Sequence, residues 1–193
     1  IGDMACGEYG EGKMSEPSEI LNLLEDHFKG LTNLKKKRAL VTAGPTQEFL
    51  DPVRYITNRS SGKQGYEIAN SLNKNGFDTT LISGPSSQIA DAGINLIKVK
   101  TAEDMFRETI SNLPVDVAVF SAAVSDWKIK KYSKDKIKKI DNIVINLEKN
   151  IDILNNISNH NSLRPKLVIG FAAETENVHS SAKKKLLDKN CDW

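Results

Sequence analysis

The sequence predicts an α/β fold with a doubly wound, mostly parallel sheet, and three observations carry that prediction. Short apolar runs read as buried strands at Arg38 to Ala43, Asp78 to Ile82, Ile94 to Lys100, Asp116 to Ser121 and Lys166 to Ile169. Helical apolar spacing separates them, as in Ile68, Ala69 and Leu72 or in Phe106, Thr109, Ile110 and Leu113. The strands run out into loops of small residues, Gly44-Pro45-Thr46 and Ser83-Gly84-Pro85, where open parallel sheets gather their ligands. With 193 residues, 39% hydrophobic and 6% aromatic, the chain can bury one domain core with short appendages.

The elements follow in order. Residues 1–34 form an N-terminal arm and helix: a glycine-rich stretch to Met14, then a helix from Ser15 with Pro17 in its first turn. Ile20, Leu23, Leu24, His27 and Phe28 share one face of that helix. Lys29 to Lys37 is a basic linker, and the main domain is read as residues 35–193. The first strand, Arg38 to Ala43, leads into a long loop through Gly65 and a helix that ends at Lys74 before Asn75-Gly76. Thr101 caps the helix after the third strand, with Asp104 three residues on. Asp116 to Ser121 is the most apolar strand and therefore central. Ile143 to Leu147 is a further strand, Lys149 to Leu154 enters a helix, a basic helix follows Lys166 to Ile169, and Asn190 to Trp193 begins another strand.

Composition excludes several classes. A formal net charge of +2 gives no general polyanion binder, although basic residues cluster at Lys35 to Arg38, Lys128 to Lys139 and Lys183 to Lys185. Two cysteines, Cys6 and Cys191, offer neither a disulfide framework nor metal-ligand spacing, so a reducing cytoplasm is expected. Secretory signals and apolar runs long enough to span a membrane are absent from the sequence. Gly44 is not followed by Gly-x-Gly-x-x-Gly spacing and no Walker-type loop occurs, which disfavours NAD and P-loop readings.

Four stretches carry candidate chemistry. The loop from Gly44 to Gly65 is longer than a strand-to-helix connection needs, and ends in Ser60-Ser61-Gly62, where a serine can cap the helix. Its free N–H groups suit phosphate or carboxylate, with Asn58 and Arg59 alongside; a solvated loop is the alternative. In Ser121-Ala122-Ala123-Val124-Ser125-Asp126-Trp127 small residues let a flat ring lie on the backbone, and Asp126 offers a carboxylate to a ribose, base or metal; an Asp cap beside a buried Trp is the alternative. Lys128 to Lys139 is too lysine-rich for a core, so it is mobile or lies over an anion, with Lys136 and Lys138 on one face when extended. Phe171-Ala172-Ala173 at a strand end suits stacking beside a base, or is ordinary core.

These residues carry a specific resemblance. Val41 to Thr46, Asp51 to Ile56 and Asn58 to Lys63 resemble the opening of phosphopantothenoylcysteine synthetase, in bacteria usually the C-terminal half of a bifunctional flavoprotein of coenzyme A synthesis. The resemblance implies a Rossmann-like fold and CTP-dependent ligation of 4'-phosphopantothenate to L-cysteine through an acyl-cytidylate. By position it implies catalytic roles for Asn58 and for Lys136, in a Lys-Ile-Lys-Lys flap over nucleotide and intermediate. It places Ser121, Ala122 and Asp126 in the nucleotide-binding segment, Trp127 replacing the usual tyrosine. Asn150 and Asp152 match a CTP-contacting Lys-Asn-Pro-Asp-Ile in which Ile151 replaces the proline. Phe171 falls in a Gly-Phe-Ala-Ala-Glu-Thr match, and Lys185 and Lys189, four apart on one helix face, match triphosphate-binding positions.

Magnesium is expected to bridge triphosphate oxygens, with its protein ligands unassigned, and a homodimer is expected. Ala5-Cys6-Gly7, Gly12-Lys13-Met14 and Glu16-Pro17 resemble the tail of the decarboxylase domain, where Cys6 matches the active-site cysteine. FMN would belong only to a complete bifunctional protein, so Cys6 is read as an orphan thiol and decarboxylation is not expected. Two rival readings stand beside this one: a non-catalytic nucleotide-binding or dimerising remnant, and a Rossmann-type oxidoreductase.

Overall fold

The computed structural model describes residues 36–139, 142–173 and 176–193, together with Gly2, Asp3, Tyr9, Gly10, Ser18 and Asn22. The chain divides into two units, Ile1–Lys36 and Lys37–Trp193. In the first, β1 (Gly2–Asp3) pairs antiparallel with β2 (Tyr9–Gly10), and Ser18 and Asn22 are helical. Cys6, His27 and the rest of the expected helix lie outside the described residues.

The second unit is a five-stranded, wholly parallel sheet, as the alternating pattern predicts. Its strands are β3 (Arg38–Ala43), β6 (Asp78–Ser83), β7 (Asn95–Lys98), β8 (Val117–Phe120) and β11 (Leu167–Gly170), in the order β11-β8-β3-β6-β7. Ala39 to Ala43 are all buried, as a strand covered on both faces requires. Alternate side chains feed two cores. Leu40 joins Ile82, Met105, Ala118, Phe120, Ile157 and Val168 beneath α2 (Ala102–Ser111) and α3 (Ile153–Ser158). Val41 and Ala43 join Leu81, Val119, Tyr66 and Ala69 of α1 (Lys63–Lys74) on the other side. Truncating a fully buried leucine such as Leu40 to alanine would cost about 2–5 kcal/mol.

Two local details set how tightly the helices seat. Thr101 and Asp104 form the expected capping box at the start of α2. The cap of α1 differs from expectation: Gly62 occupies that position with φ 76° and no side-chain cap bond. Ser60 and Ser61 instead turn back on the N–H groups of Gly62 (3.2 Å) and Lys63 (3.3 Å). A Cβ on Gly65 would stand 2.5 Å from the Ala43 Cβ and 2.6 Å from the Ser121 Oγ, so α1 can lie this close to the sheet only with glycine there.

The strand order reverses beside β3, which feeds β6 on one side and has β8 on the other. Ligands of such sheets gather at the C-terminal ends of the strands flanking a reversal. β8 is interior, one place off the middle, which β3 itself occupies.

Two hairpins stand outside the sheet. The long loop after β3 contains β4 (Gln47–Phe49) and β5 (Tyr55–Thr57), paired antiparallel, with the Phe49 and Tyr55 rings edge-on at 5.8 Å. The strand expected at Ile143 to Leu147 begins only at Leu147. This β10 (Leu147–Lys149) pairs antiparallel with β9 (Trp127–Ile129) rather than joining the main sheet. The apolar run in 143–147 is exposed rather than buried, since Ile143, Val144, Ile145 and Leu147 all reach solvent. After α4 (Val178–Lys189), Asp192 and Trp193 lie along β11: the Asp192 N–H donates to the Val168 carbonyl (2.8 Å), and the Gly170 N–H to that of Trp193 (2.7 Å). Among the described residues no helix is long and apolar enough to cross a membrane.

Candidate active site

The C-terminal ends of β3 and β8 open into a cavity of about 330 Å³. Thr42, Phe120 and Ala122 form its floor, Asp126 and Trp127 one wall, Asn150 and Asp152 the other. Phe171, Lys185 and Lys189 close it from the β11 and α4 side, with Lys149 at the edge. Of the residues singled out from sequence, Ala122, Asp126, Asn150, Asp152, Phe171, Lys185 and Lys189 therefore converge on one cavity although they span more than sixty positions.

Each wall has a local cause. Asp152 caps α3, its Oδ1 accepting the Asn155 N–H at 3.0 Å, while its Oδ2 pairs with the Lys189 ammonium. One carboxylate thus starts a helix and aims a cation from α4 into the cavity. Three lysines against two aspartates leave the lining net positive, which suits an anionic ligand. Asn150 is fixed by its backbone, whose N–H donates to the Asp126 carbonyl at 2.9 Å, and by its Oδ1, which accepts the Ile151 N–H at 2.9 Å. That leaves Nδ2 as the donor end of the amide. Among the described residues it is the one buried side-chain polar atom without a partner. A buried, unpaired donor costs about 1–3 kcal/mol, which singles this amide out among the residues lining the cavity. Phe171 is 40% exposed at the end of β11, a ring available for stacking.

The β4–β5 hairpin holds the Asp126 wall in place. The Thr46 Oγ1 accepts the Ser125 N–H at 3.0 Å, and the Thr57 hydroxyl donates to the Thr46 carbonyl at 2.7 Å. The Asn58 Nδ2 donates to the carbonyls of Ala123 (3.3 Å) and Val124 (3.0 Å). Asn58, itself exposed, therefore steadies the backbone of the wall and is not among the residues lining this cavity. Ser121 also stands outside: its hydroxyl donates to the Thr42 carbonyl at 2.7 Å.

Lys136 lies elsewhere, in a second concavity of about 610 Å³ that it lines with Arg54, Ile137, Lys138, Lys139 and Ile143. Lys136 and Lys138 line it together, with Ile137 between them and Lys139 after them. The segment is fastened to the hairpin by the Ser133 N–H to the Leu50 carbonyl at 3.0 Å and by contacts of Ile137 with Asp51 and Arg54. Burial of Asp51 would by itself raise its pKa. The backbone N–H groups of Val53, Ile137 and Arg54, and then the Arg54 charge, outweigh burial and hold the carboxyl below its ordinary 3.8. Sequence reasoning passed over Asp51 and Arg54 because their roles depend on a partner some 85 positions away; an acid and a base flanking a Pro-containing turn were the available signal.

For magnesium the donor set is thin. Among the described residues no group of three His, Cys, Asp or Glu side chains could hold a metal ion. Asp126, exposed at the rim, is one hard oxygen donor, and the remaining ligands would have to come from phosphate oxygens and water. Burial pushes the Cys191 thiol pKa up, which disfavours a nucleophilic role.

Residues 34–193 match the family described as DNA/pantothenate metabolism flavoprotein C-terminal domain. The chain is 42% identical over 193 residues to the coenzyme A biosynthesis bifunctional protein CoaBC of Haemophilus influenzae, an alignment spanning 99% of this chain and 48% of that protein. The chain thus spans about half the length of the curated relatives it matches. A crystal structure of the C-terminal domain of a CoaBC protein is similar at TM-score 0.70 and 41% identity, covering 81% of this chain and 74% of that one. A Cab2 variant in complex with phosphopantothenate-cysteine shares the fold, at TM-score 0.68 and 18% identity over 92% of this chain and 79% of its own.

Proposed function

The chain belongs to the DNA/pantothenate metabolism flavoprotein C-terminal domain family, and from that premise we propose that it is a ligase of coenzyme A biosynthesis that joins 4'-phosphopantothenate to L-cysteine using CTP. The observation that carries the reading is the unpaired Asn150 Nδ2 in a cavity rimmed by Lys149, Lys185 and Lys189. A buried amide donor beside an exposed aromatic suits a base carbonyl, and the lysines suit a polyphosphate. The 48%-covered CoaBC relatives and the ligand of the Cab2 complex support the pathway.

In this reading the pyrimidine lies between Ala122 and Phe171, Asn150 donates to its carbonyl, and Lys185 and Lys189 take the triphosphate. The phosphopantothenate carboxylate attacks the α-phosphorus, the bond to the β-phosphate oxygen breaks, and pyrophosphate leaves with acyl-cytidylate formed. The cysteine amine then attacks the acyl carbon, CMP leaves with the electron pair of its bond, and the amine loses a proton. Lys136 on the flap neutralises developing phosphate charge and helps exclude water. Asn58 acts by holding the 121–127 backbone against the reacting groups. A magnesium ion bound through the phosphates would offset charge on the leaving pyrophosphate. The reaction belongs in the cytoplasm, where reduced cysteine and CTP are present.

A homodimer fits the surface. Val53 and Tyr55 on one hairpin, and Val144, Ile145 and Leu147 beside the other, expose apolar area that a second copy would cover. The test of function is pyrophosphate release from CTP with and without 4'-phosphopantothenate, followed by amide formation on adding cysteine. Phosphopantothenate-dependent release is the expected result. CTP binding without release would favour a nucleotide-binding module, and no CTP binding would refute the reading.

A further inference from the structure

Among the described residues, the backbone amide outside its own turn that Asp51 meets is that of Ile137, near the end of the lysine-rich segment. The Asp51 side chain is fully buried, and both of its oxygens are engaged. Its Oδ1 accepts the N–H groups of Val53 and Arg54, each at 2.8 Å, closing the turn between β4 and β5. Its Oδ2 accepts the Ile137 N–H at 3.1 Å. Arg54, paired to the same Oδ2 at 3.5 Å, donates through Nη2 to the Ile137 carbonyl at 3.0 Å. One acid and one base thus bind both polar groups of one residue across a sequence separation of more than eighty positions. Ile137 stands between Lys136 and Lys138, and all three line the same concavity with Arg54 and Lys139.

We propose that Asp51 is a positioning residue that latches the Lys136–Lys139 segment onto the β4–β5 turn and so sets where Lys136 is presented. The role of Lys136 toward substrate rests on the ligase reading; the latch itself does not. Three features point to a latch rather than a turn device alone. An Asx turn needs one side-chain oxygen, and here Oδ1 supplies it, which leaves Oδ2 for the segment. Four cationic side chains, Arg54, Lys136, Lys138 and Lys139, crowd the concavity, and the buried carboxylate offsets their repulsion where the chain passes closest. The Ser133 N–H to Leu50 carbonyl bond fastens the segment a few residues earlier, so Asp51 is the second of two attachment points and fixes direction as well as place.

The test is limited trypsinolysis of the full chain with fragments identified by mass, alongside thermal melts, for wild type, Asp51→Asn, Ile137→Pro and the double variant. Asp51→Asn offers one acceptor oxygen to donors that need two. Ile137→Pro removes the N–H from the segment side and leaves the turn intact. Each single variant is expected to speed cleavage at Lys138 and Lys139 about tenfold relative to cleavage at Lys183 and Lys184, since bonds to a charged acceptor are the stronger ones. Lys136 is scored only in Asp51→Asn, because trypsin does not cut before a proline at 137. The double variant should be no faster than the faster single, because both substitutions break the same link. Where ligase turnover is measurable, kcat should fall more than the KM for 4'-phosphopantothenate rises, because the misplaced Lys136 charge acts on charge that develops in the reaction. An unchanged cleavage ratio in Ile137→Pro, or multiplicative effects in the double variant, would overturn the latch. So would an Asp51→Asn variant that only lowers Tm and loosens the whole chain. Proteolysis needs no substrate, so failure of the ligase reading and failure of the latch give separate results.

Discussion

Replacing Asn150 with leucine removes its donor while keeping the number and branching of its side-chain heavy atoms. Two opposing effects act on the protein without ligand. Loss of Nδ2 relieves a buried, unpaired donor, worth about 1–3 kcal/mol. Loss of Oδ1 strips the Ile151 N–H of its acceptor, a cost of similar size. The two nearly cancel, so the melting temperature should stay within about 4 °C of wild type. With nucleotide bound only the loss remains: the base carbonyl meets a methyl group where it met an amide. CTP affinity should fall by about 10- to 100-fold, the equivalent of about 1.4–2.8 kcal/mol. Pyrophosphate, which has no base, should bind both proteins equally through Lys185 and Lys189. Calorimetric titration with CTP and with pyrophosphate, run beside a thermal melt, measures all three quantities. Equal weakening toward both ligands would show that Asn150 acts on the shape of the cavity, and the donor argument would be wrong.

Other substitutions probe the surroundings. Lys136→Gln should slow ligase turnover by about 10²-fold or more with an unchanged melt, because its exposed side chain contributes charge rather than packing; full turnover would remove it from the chemistry. Asn58→Asp sets a carboxylate against the carbonyls of Ala123 and Val124, so CTP affinity and turnover should drop together; wild-type CTP affinity would leave Asn58 no part in holding the wall. Acid should destabilise the fold in a defined window. The carboxyls of Asp51, Asp104, Asp116 and Asp192 all titrate below 3.8 in the folded protein. For Asp116 the chief cause is the bond from Lys166. The stabilisation from such groups is complete above the unfolded value and is lost as pH falls through the folded ones, so Tm should hold to about pH 5 and drop below about pH 3.8. A Tm that declines equally from pH 7 to pH 5 would contradict those assignments.

The parallel sheet was legible because its strands are covered on both faces and so read as unbroken apolar runs, as in Ala39 to Ala43. The cavity residues were legible for a different reason. Small residues at strand ends and lysines spaced four apart on a helix are local patterns, and the fold brings them together at the strand-order reversal. What the sequence hid is non-local. The β4–β5 strands are three residues each, and their pairing is decided by a turn that Asp51 closes from its side chain. The apolar run in 143–147 reads as a strand, yet its side chains are open to solvent, and apolar composition alone does not tell whether a run is covered. The position of Asn58 shows the same limit. Residue type and motif suggest contact with substrate, and the structure adds a bond the motif does not reveal, from its amide nitrogen to the backbone of a neighbouring loop.

One consequence of that arrangement concerns coupling. The hairpin between β3 and α1 touches the 121–127 wall through Thr46 and Asn58 at one end, and the lysine segment through Leu50, Asp51 and Arg54 at the other. Its own root is fixed independently, by the Gln47 N–H to the Lys100 carbonyl at 2.8 Å and by the Glu48 Oε1 accepting the Ala102 N–H at 3.1 Å. A short antiparallel pair with both ends bonded moves as a unit more readily than it bends. Displacement of the 121–127 wall by a ligand would therefore be opposed by every attachment of the lysine segment, and docking of that segment would steady the wall. In free-energy terms the two sites share a support, and any change that binding at one makes in affinity at the other is the same factor in both directions. That reciprocity needs no contact between the cavity and Lys136. It requires only that the support stay rigid, and the buried Glu48 and Asp51 carboxylates, each bonded to backbone N–H groups, are what keep it so.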